Sequence, residues 1–352
     1  MAGHNPLHDL LRQAAQTLMV GVPGTEPTPE LIRFIEDLCP GGIILFGRNV
    51  GTPADMTRLI GRLQEVSLRS SGLPLLVAID QEGGPVARLK DPFTHQPGQA
   101  TLGAMGFSAE ARKAAYQRAL KMGFELAGLG INLNLAPVLD VRTRKDSAVA
   151  DRCFSDSPEV VASLGVETIN GFQEANVAAC AKHFPGHGDT PVDSHRRLPQ
   201  IDHGPDRLRR VELVPYRAAI DAGVAAVMTT HILYRALDAT LPATLSPAVV
   251  TGLLRTELGF GGLVFSDDLQ MGAIVDGWGL AEAAELALRA GCDQLLVCNM
   301  LRQDDPRDVL AHLVSRLETD ADLREKTLAG AVRRITEAKR RWATGRPGRG
   351  RR

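Results

Sequence analysis

With 352 residues, 44% of them hydrophobic and 23% charged, the chain has the composition of an ordinary globular protein, and disorder is not expected. Its 40 Lys and Arg nearly cancel 41 Asp and Glu, so no global charge attracts a nucleic acid or an anionic membrane, and any anion recognition has to be local. No stretch approaches the roughly 18 apolar residues of a membrane span, no basic-then-apolar leader is seen, and five cysteines without a C-x-x-C pair read as small buried hydrophobes; a cytoplasmic protein is expected.

Along the chain, short apolar runs alternate with longer amphipathic stretches. The predicted strands are Thr17–Gly21, Gly42–Phe46, Leu73–Asp80, Gly130–Ala136, Ala178–His183, Gly223–Thr230, Gly262–Ser266 and Asp293–Cys298. Most are near-continuous apolar runs, as expected of strands covered on both faces in a parallel sheet. Between them the pattern predicts helices over Ala54–Leu68, Ala109–Leu129, Pro158–Glu174, Arg207–Ala222, Pro247–Leu258 and Leu280–Ala290. "SPEVV", "SPAVV" and "GPDRL" look like a cap followed by Pro at the first helical position, and Gly130, Gly223, Gly259 and Gly291 look like helix stops.

Eight strands alternating with helices predict an α/β protein, a single-domain (β/α)₈ barrel of the TIM type with extra C-terminal helices. A doubly wound sheet is the alternative, but no G-x-G-x-x-G follows a strand. The catalytic domain is expected over residues 1–343, with two further helices in 305–343, and the closing "GRPGRGRR" (residues 344–352 with Thr344) as a basic, disordered tail.

In such a barrel the working residues stand where strands end. Asp80 closes the third strand, Asp140 follows the fourth, Lys182 and His183 close the fifth, His231 follows the sixth, Asp267 and Asp268 close the seventh, and Asn299 follows the eighth. Each has a plainer reading. Asp267 or Asp268 would cap the next helix, Asp80 would hold the glycine turn of "IDQEGGPVARL", and His231, Asp140 and Asn299 would be hydrogen-bonded wall residues.

The segment "KHFPGHGDTPVDSH", Lys182 to His195, holds three of the nine histidines. His183 and His187 have the i, i+4 spacing of a metal pair on a helix, but Pro185 and Gly186 argue against helix; a zinc site would need His195 and a carboxylate assembled by the loop. The glycines and prolines suggest instead a loop that travels, with Asp193-Ser194-His195 at its far end. In D-x-H a carboxylate reaches the imidazole, fixes its tautomer and raises its pKa, as a general acid near neutral pH requires. A surface ion pair is the plainer alternative.

Those blocks, with "GGIILFGRN" (41–49), "DQEGGPVARL" (80–89), "NLNLAPVLDV" (132–141), "DRCFSDSP" (151–158), "VFSDDLQMGAI" (264–274) and "AGCDQLLVCN" (290–299), together resemble glycoside hydrolase family 3, specifically its single-domain bacterial β-N-acetylhexosaminidases of cell-wall recycling. The resemblance implies a retaining glycosidase acting on N-acetylglucosamine-containing muropeptides, with Asp267 as nucleophile and His195, held by Asp193, as acid/base. It implies sugar contacts from Asp80, Arg88, Arg152, Lys182 and His183, and neither cofactor nor metal, nucleic acid nor membrane as partner. Pro85 and Cys153 depart from the family pattern, where Arg or Lys and Ser are common, so contacts at the subsite rim are expected to differ. A metal-dependent barrel hydrolase and a non-catalytic sugar-binding protein are the rival readings.

Overall fold

A computed structural model describes residues 6–298 and 304–344. Asn299 and the tail beyond Thr344 lie outside the described residues. Eight strands close a parallel barrel: β1 (Leu18–Gly21), β2 (Gly42–Leu45), β3 (Leu76–Ile79), β4 (Leu133–Asn134), β5 (Ala178–Phe184), β6 (Ala226–Thr229), β7 (Leu263–Asp268) and β8 (Gln294–Val297). Each strand neighbours the next in sequence, and β8 pairs back onto β1 through Leu295 and Leu18. This is the expected barrel, with helices such as Pro53–Ser71, Ala109–Gly128, Pro158–Glu174 and Leu280–Ala290 in the connections.

Local chemistry marks the ends of these helices. Thr52, Ser108 and Ser157 accept hydrogen bonds from backbone N–H groups three residues on, as N-caps do. Gly223 and Gly291 sit at φ of 77° and 112°, where a β-carbon is disfavoured, and so terminate their helices.

Three expected elements differ. The predicted Arg207–Ala222 helix is split into Pro205–Arg210 and Leu213–Asp221, because Glu212 is drawn inward to Arg207 (2.6 Å), breaking the periodicity there. The Gly130–Ala136 strand pairs by backbone only at Leu133–Asn134, because buried asparagines replace part of the ladder. The Asn132 amide bonds Val77 N and Leu75 O, and Asn134 bonds Gln81 N and O. The third difference lies at Asp267 and Asp268. They belong to β7 itself, and the following helix starts only at Gly272, so neither caps it.

Two apolar layers result. Met19, Ile44, Leu76, Leu133, Cys180, Met228 and Phe265 fill the barrel interior, while a larger cluster lies between strands and helices. The interior cluster is continued by Ile335 and Trp342 from the helical run 323–343, which closes the end of the barrel where the strands begin. Arg334 bonds Asp293 Oδ1 (2.9 Å), and buried Lys339 reaches Gln16 Oε1 (2.6 Å). Burial pushes the Lys339 ammonium down to about 7. All five cysteines are buried and unpaired. Among the described residues no helix is long and apolar enough to cross a membrane.

Because Ile335 is fully buried beneath the barrel, truncating it to Ala should lower the unfolding free energy by about 2–4 kcal/mol. Urea denaturation measures this, and a loss below about 1 kcal/mol would show that the C-terminal run is not part of the core.

Candidate active site

The end of the barrel opposite that closure holds a cavity of about 260 Å³. It is lined by Asp80, Arg88, Arg152, Lys182, His183, His195, Asp267 and Asp268, with apolar walls that include Phe46, Met228 and Met271. Seven of the eight site residues expected from sequence therefore meet around one space. The eighth, Asp193, stands behind His195 and accepts its Nδ1–H at 2.8 Å.

Each side chain has a local reason for its position. Asp80 leaves the end of β3 and runs into a hairpin of Gln81–Gly83 and Val86–Ala87. The Gln81 side chain accepts from Arg88 N (2.8 Å) and Leu89 N (3.0 Å). That closes the turn and returns Arg88 to within 3.5 Å of Asp80. Arg88 also lies over the Phe46 ring at 5.8 Å, and its buried Nε has no hydrogen-bond partner among the described residues.

On β5 the register against β6 shifts between Ala181 and Phe184, so Lys182 and His183, consecutive residues, both line the cavity. A second shift, between Phe265 and Asp268 on β7, presents Asp267 and Asp268 in the same way. Strand irregularities at a barrel rim re-aim side chains, and here they fall at the two strands that each present two consecutive polar residues to the cavity.

The charges form one buried network. Lys182 Nζ lies 2.7 Å from both Asp80 and Glu82, and Glu82 takes a forked pair of bonds from Arg152 at 3.0 and 2.8 Å. Burial pushes the Asp80 carboxyl up, but Lys182 and Arg88 outweigh it and hold it at about 2. Glu82 is likewise lowered against burial by Lys182 and Arg152, and Lys182 is raised against burial by its two carboxylates. Glu82 was not expected from sequence; it shares its motif with Asp80 and is recognised only once Lys182 and Arg152 are seen to converge on it.

Asp140, read from sequence as a wall residue, instead organises the fifth-strand segment. Fully buried, it accepts from His183 Nδ1 (2.7 Å), His183 N (3.2 Å) and His187 N (2.6 Å). With Nδ1–H given to Asp140, His183 Nε2 is the acceptor facing Arg152 at 3.3 Å. His231 is a hydrogen-bonded wall residue, as expected: its Nε2 donates to Asp268 O at 2.9 Å.

Burial raises the Asp267 carboxyl, yet the imidazoles of His231, His183 and His195 around it, with the Asp268 N–H, bring it below the usual range. Its neighbour moves the other way, to about 6, through burial and the proximity of Asp267. Two adjacent carboxyls thus differ in readiness to ionise, and Asp267 is the more readily ionised of the two lining the cavity.

The metal arrangement drawn from His183, His187 and His195 does not assemble: the rings turn to Asp140, Ser194 and Asp193 respectively. Among the described residues no group of three or more His, Cys, Asp or Glu is placed to hold a metal ion. The rim expectation also changes. Pro85 lies exposed in the hairpin turn, and Cys153 is fully buried with its thiol on Val149 O, so neither lines the cavity.

A barrel mouth that gathers an ionised carboxylate, an imidazole–carboxylate couple and a cluster of charged donors is built for acid/base chemistry on a small oxygen-rich molecule. The glycosyl hydrolase family 3 N-terminal domain matches residues 10–338, so the chain belongs to glycosyl hydrolase family 3. A β-hexosaminidase of Thiobacillus denitrificans is 39% identical over 298 residues, 84% of this chain and 81% of that protein. The structure of a family 3 β-N-acetylglucosaminidase from Paenibacillus superimposes with a TM-score of 0.90 at 42% identity, over 95% of this chain; this chain spans only 62% of that one. NagZ from Neisseria gonorrhoeae, solved with N-trifluoroacetyl-D-glucosamine, superimposes with a TM-score of 0.78 at 31% identity, over 92% of each chain.

The depressed Asp80 carboxyl has a consequence for stability. With its folded pKa at about 2 against an ordinary 3.8, the carboxylate stabilises the fold above the ordinary value, and that contribution is lost as pH falls toward 2. Denaturant titrations at pH 7, 4 and 2.5 should show a smaller acid loss for Asp80→Asn than for the unaltered chain. An identical acid loss in both would contradict the buried network.

Proposed function

We propose that the chain is a retaining exo-β-N-acetylglucosaminidase that removes non-reducing terminal N-acetylglucosamine from peptidoglycan fragments. The observation that carries this reading is the meeting of Asp267 and His195 at one small cavity lined by further charged or hydrogen-bonding side chains, Asp80, Arg88, Arg152, Lys182, His183 and Asp268. At about 260 Å³, the cavity lies below the roughly 300–1,000 Å³ of pockets for drug-sized ligands and suits one sugar ring, hence terminal release rather than internal cutting.

Breaking a glycosidic bond requires a proton on the departing oxygen and negative charge under the anomeric carbon, where positive charge develops. Asp267, ionised and facing the cavity, is the nucleophile in this reading and forms a glycosyl ester as the anomeric C–O bond breaks. His195, as the imidazolium, donates its Nε2 proton to the leaving oxygen; Asp193, accepting from Nδ1, holds the ring and leaves the neutral tautomer whose Nε2 can accept next. In the second half-reaction His195 takes a proton from water, which attacks the same carbon and frees Asp267 with net retention. Asp80 accepts from sugar hydroxyls, and Arg88, Arg152, Lys182 and His183 engage other sugar oxygens, with charged bonds stronger than neutral ones.

The relatives named β-hexosaminidase support the choice of sugar, as does the N-acylglucosamine bound by the Neisseria structure. Muropeptides as the natural substrate rest on the resemblance to cell-wall recycling enzymes, and a cytoplasmic site of action fits five unpaired thiols. In this reading the catalytic unit is taken as residues 1–343, with 344–352 a basic segment beyond it.

Incubation with a slow fluorinated β-N-acetylglucosaminide should give a protein adduct of one sugar mass, mapped by peptide mass spectrometry to Asp267. An adduct on another residue, or none while turnover proceeds, overturns the assignment. Asp267→Ala should abolish turnover while product still binds. His195→Ala should lose about 10²–10⁴-fold on poor leaving groups and far less on good ones, and activity should survive exhaustive chelation.

A further inference from the structure

His195 and Asp193 present a problem of precision. Their side chains are 58% and 48% exposed and hydrogen-bonded to each other, so burial does little to fix the imidazole. An acid misplaced by about 1 Å can lose roughly 10²-fold. The constraint therefore has to come from the backbone that carries them, and it does so at two points.

The first lies beneath the loop. His187 is almost fully buried; its backbone N–H is held by Asp140 (2.6 Å), and its Nε2 lies 3.2 Å from Ser194 Oγ. Ser194, also buried, is the residue immediately before His195. Since Asp140 also holds His183, an unbroken series of hydrogen bonds runs from the sugar-facing His183 through Asp140 and His187 to Ser194. Burial and the nearby His183 hold the His187 ring down at about 4, so it stays neutral as a fixed strut and takes no proton in turnover.

The second point lies across the cavity mouth. The carbonyls of Ser194 and His195 accept from Ala273 N (3.2 Å) and Gly272 N (3.1 Å), at the start of the helix Gly272–Trp278 just beyond Asp267. Gly272 permits this approach: a β-carbon there would stand 2.8 Å from Arg196 O and 3.0 Å from His195 O. Thus the backbone that follows Asp267 directly grips the backbone that carries His195.

We propose that His187, Ser194 and Gly272 are positioning residues for His195, the first two bracing the loop from below and Gly272 seating its carbonyls beside the seventh strand. None touches the sugar; they act through the placement of the imidazole relative to Asp267. This inference rests on the reading of His195 as the acid/base.

The test is kcat/KM, which reports the first bond-breaking step, on a β-N-acetylglucosaminide with a good leaving group (2,4-dinitrophenyl) and one with a poor leaving group (methyl). Gly272→Ala and Ser194→Ala should each lose about 10–100-fold on the methyl glycoside and less than about 3-fold on the dinitrophenyl one, which needs little protonation. His187→Ala should show the same selective loss, and His187→Gln, which keeps an N–H near Nε2, should restore the unaltered ratio. The two rates come from one sample, so partial unfolding cancels in the ratio, and inhibition by N-acetylglucosamine should be unchanged in all variants. Equal losses on both substrates, or no loss on either, in the three alanine variants overturn the positioning role. If instead His195→Ala itself shows no leaving-group discrimination, the acid assignment fails and this inference fails with it.

Discussion

Buried Glu82 and Lys182, with half-buried Asp80 and Arg152, hold one another at the barrel mouth. Removing such ions from water is costly, and each is tolerable there only because its partners are in place. Neutralising a single member leaves an uncompensated charge, typically worse than replacing the set. Since the four arrive from the end of β3, the hairpin after it, the turn before Cys153 and the end of β5, their pairing also fixes the relative positions of those segments. The cavity takes its shape from that mutual constraint, and Arg88 and His183 are attached to it through Asp80 and Arg152.

The two ends of the barrel divide the labour. At the end where strands begin, Asp293 is held by Arg255 and Arg334, Lys339 by Gln16, and the C-terminal run supplies Ile335 and Trp342 to the interior core. These contacts secure the fold and carry no group toward the cavity. At the other end charged and polar side chains share the lining with apolar ones, two strands are irregular, and the loop bearing His195 is seated by backbone bonds rather than packing. This partition explains how the mouth can hold two adjacent carboxyls of opposite tendency, Asp267 and Asp268, without the barrel opening.

Much of this was legible in the sequence for simple reasons. Strands covered on both faces read as apolar runs, and their number and alternation with helices specify a barrel; polar residues at the ends of those runs then have only one place to converge. Asp267, Lys182 and the D-S-H couple stand out because their chemistry is concentrated in short segments. What was missed depends on partners distant in sequence. Asp140 looks like any carboxylate after a strand until His183 and His187 turn toward it, and Glu82 gains meaning only from Lys182 and Arg152. The shortened β4 follows from Asn132 and Asn134 taking over ladder bonds, which no periodicity reveals, and the break at Glu212 from an inward ion pair with Arg207.

The central claim is that Asp267 and His195 serve one sugar from opposite sides, so that two displacements occur at the same carbon. The anomeric form of the sugar first released reports this directly, before mutarotation blurs it. Proton NMR of a β-N-acetylglucosaminide during the opening minutes of hydrolysis should show β-N-acetylglucosamine appearing first, with the α form growing in later. First appearance of the α form would mean a single displacement by water, and the account of Asp267 as a covalent nucleophile would be wrong.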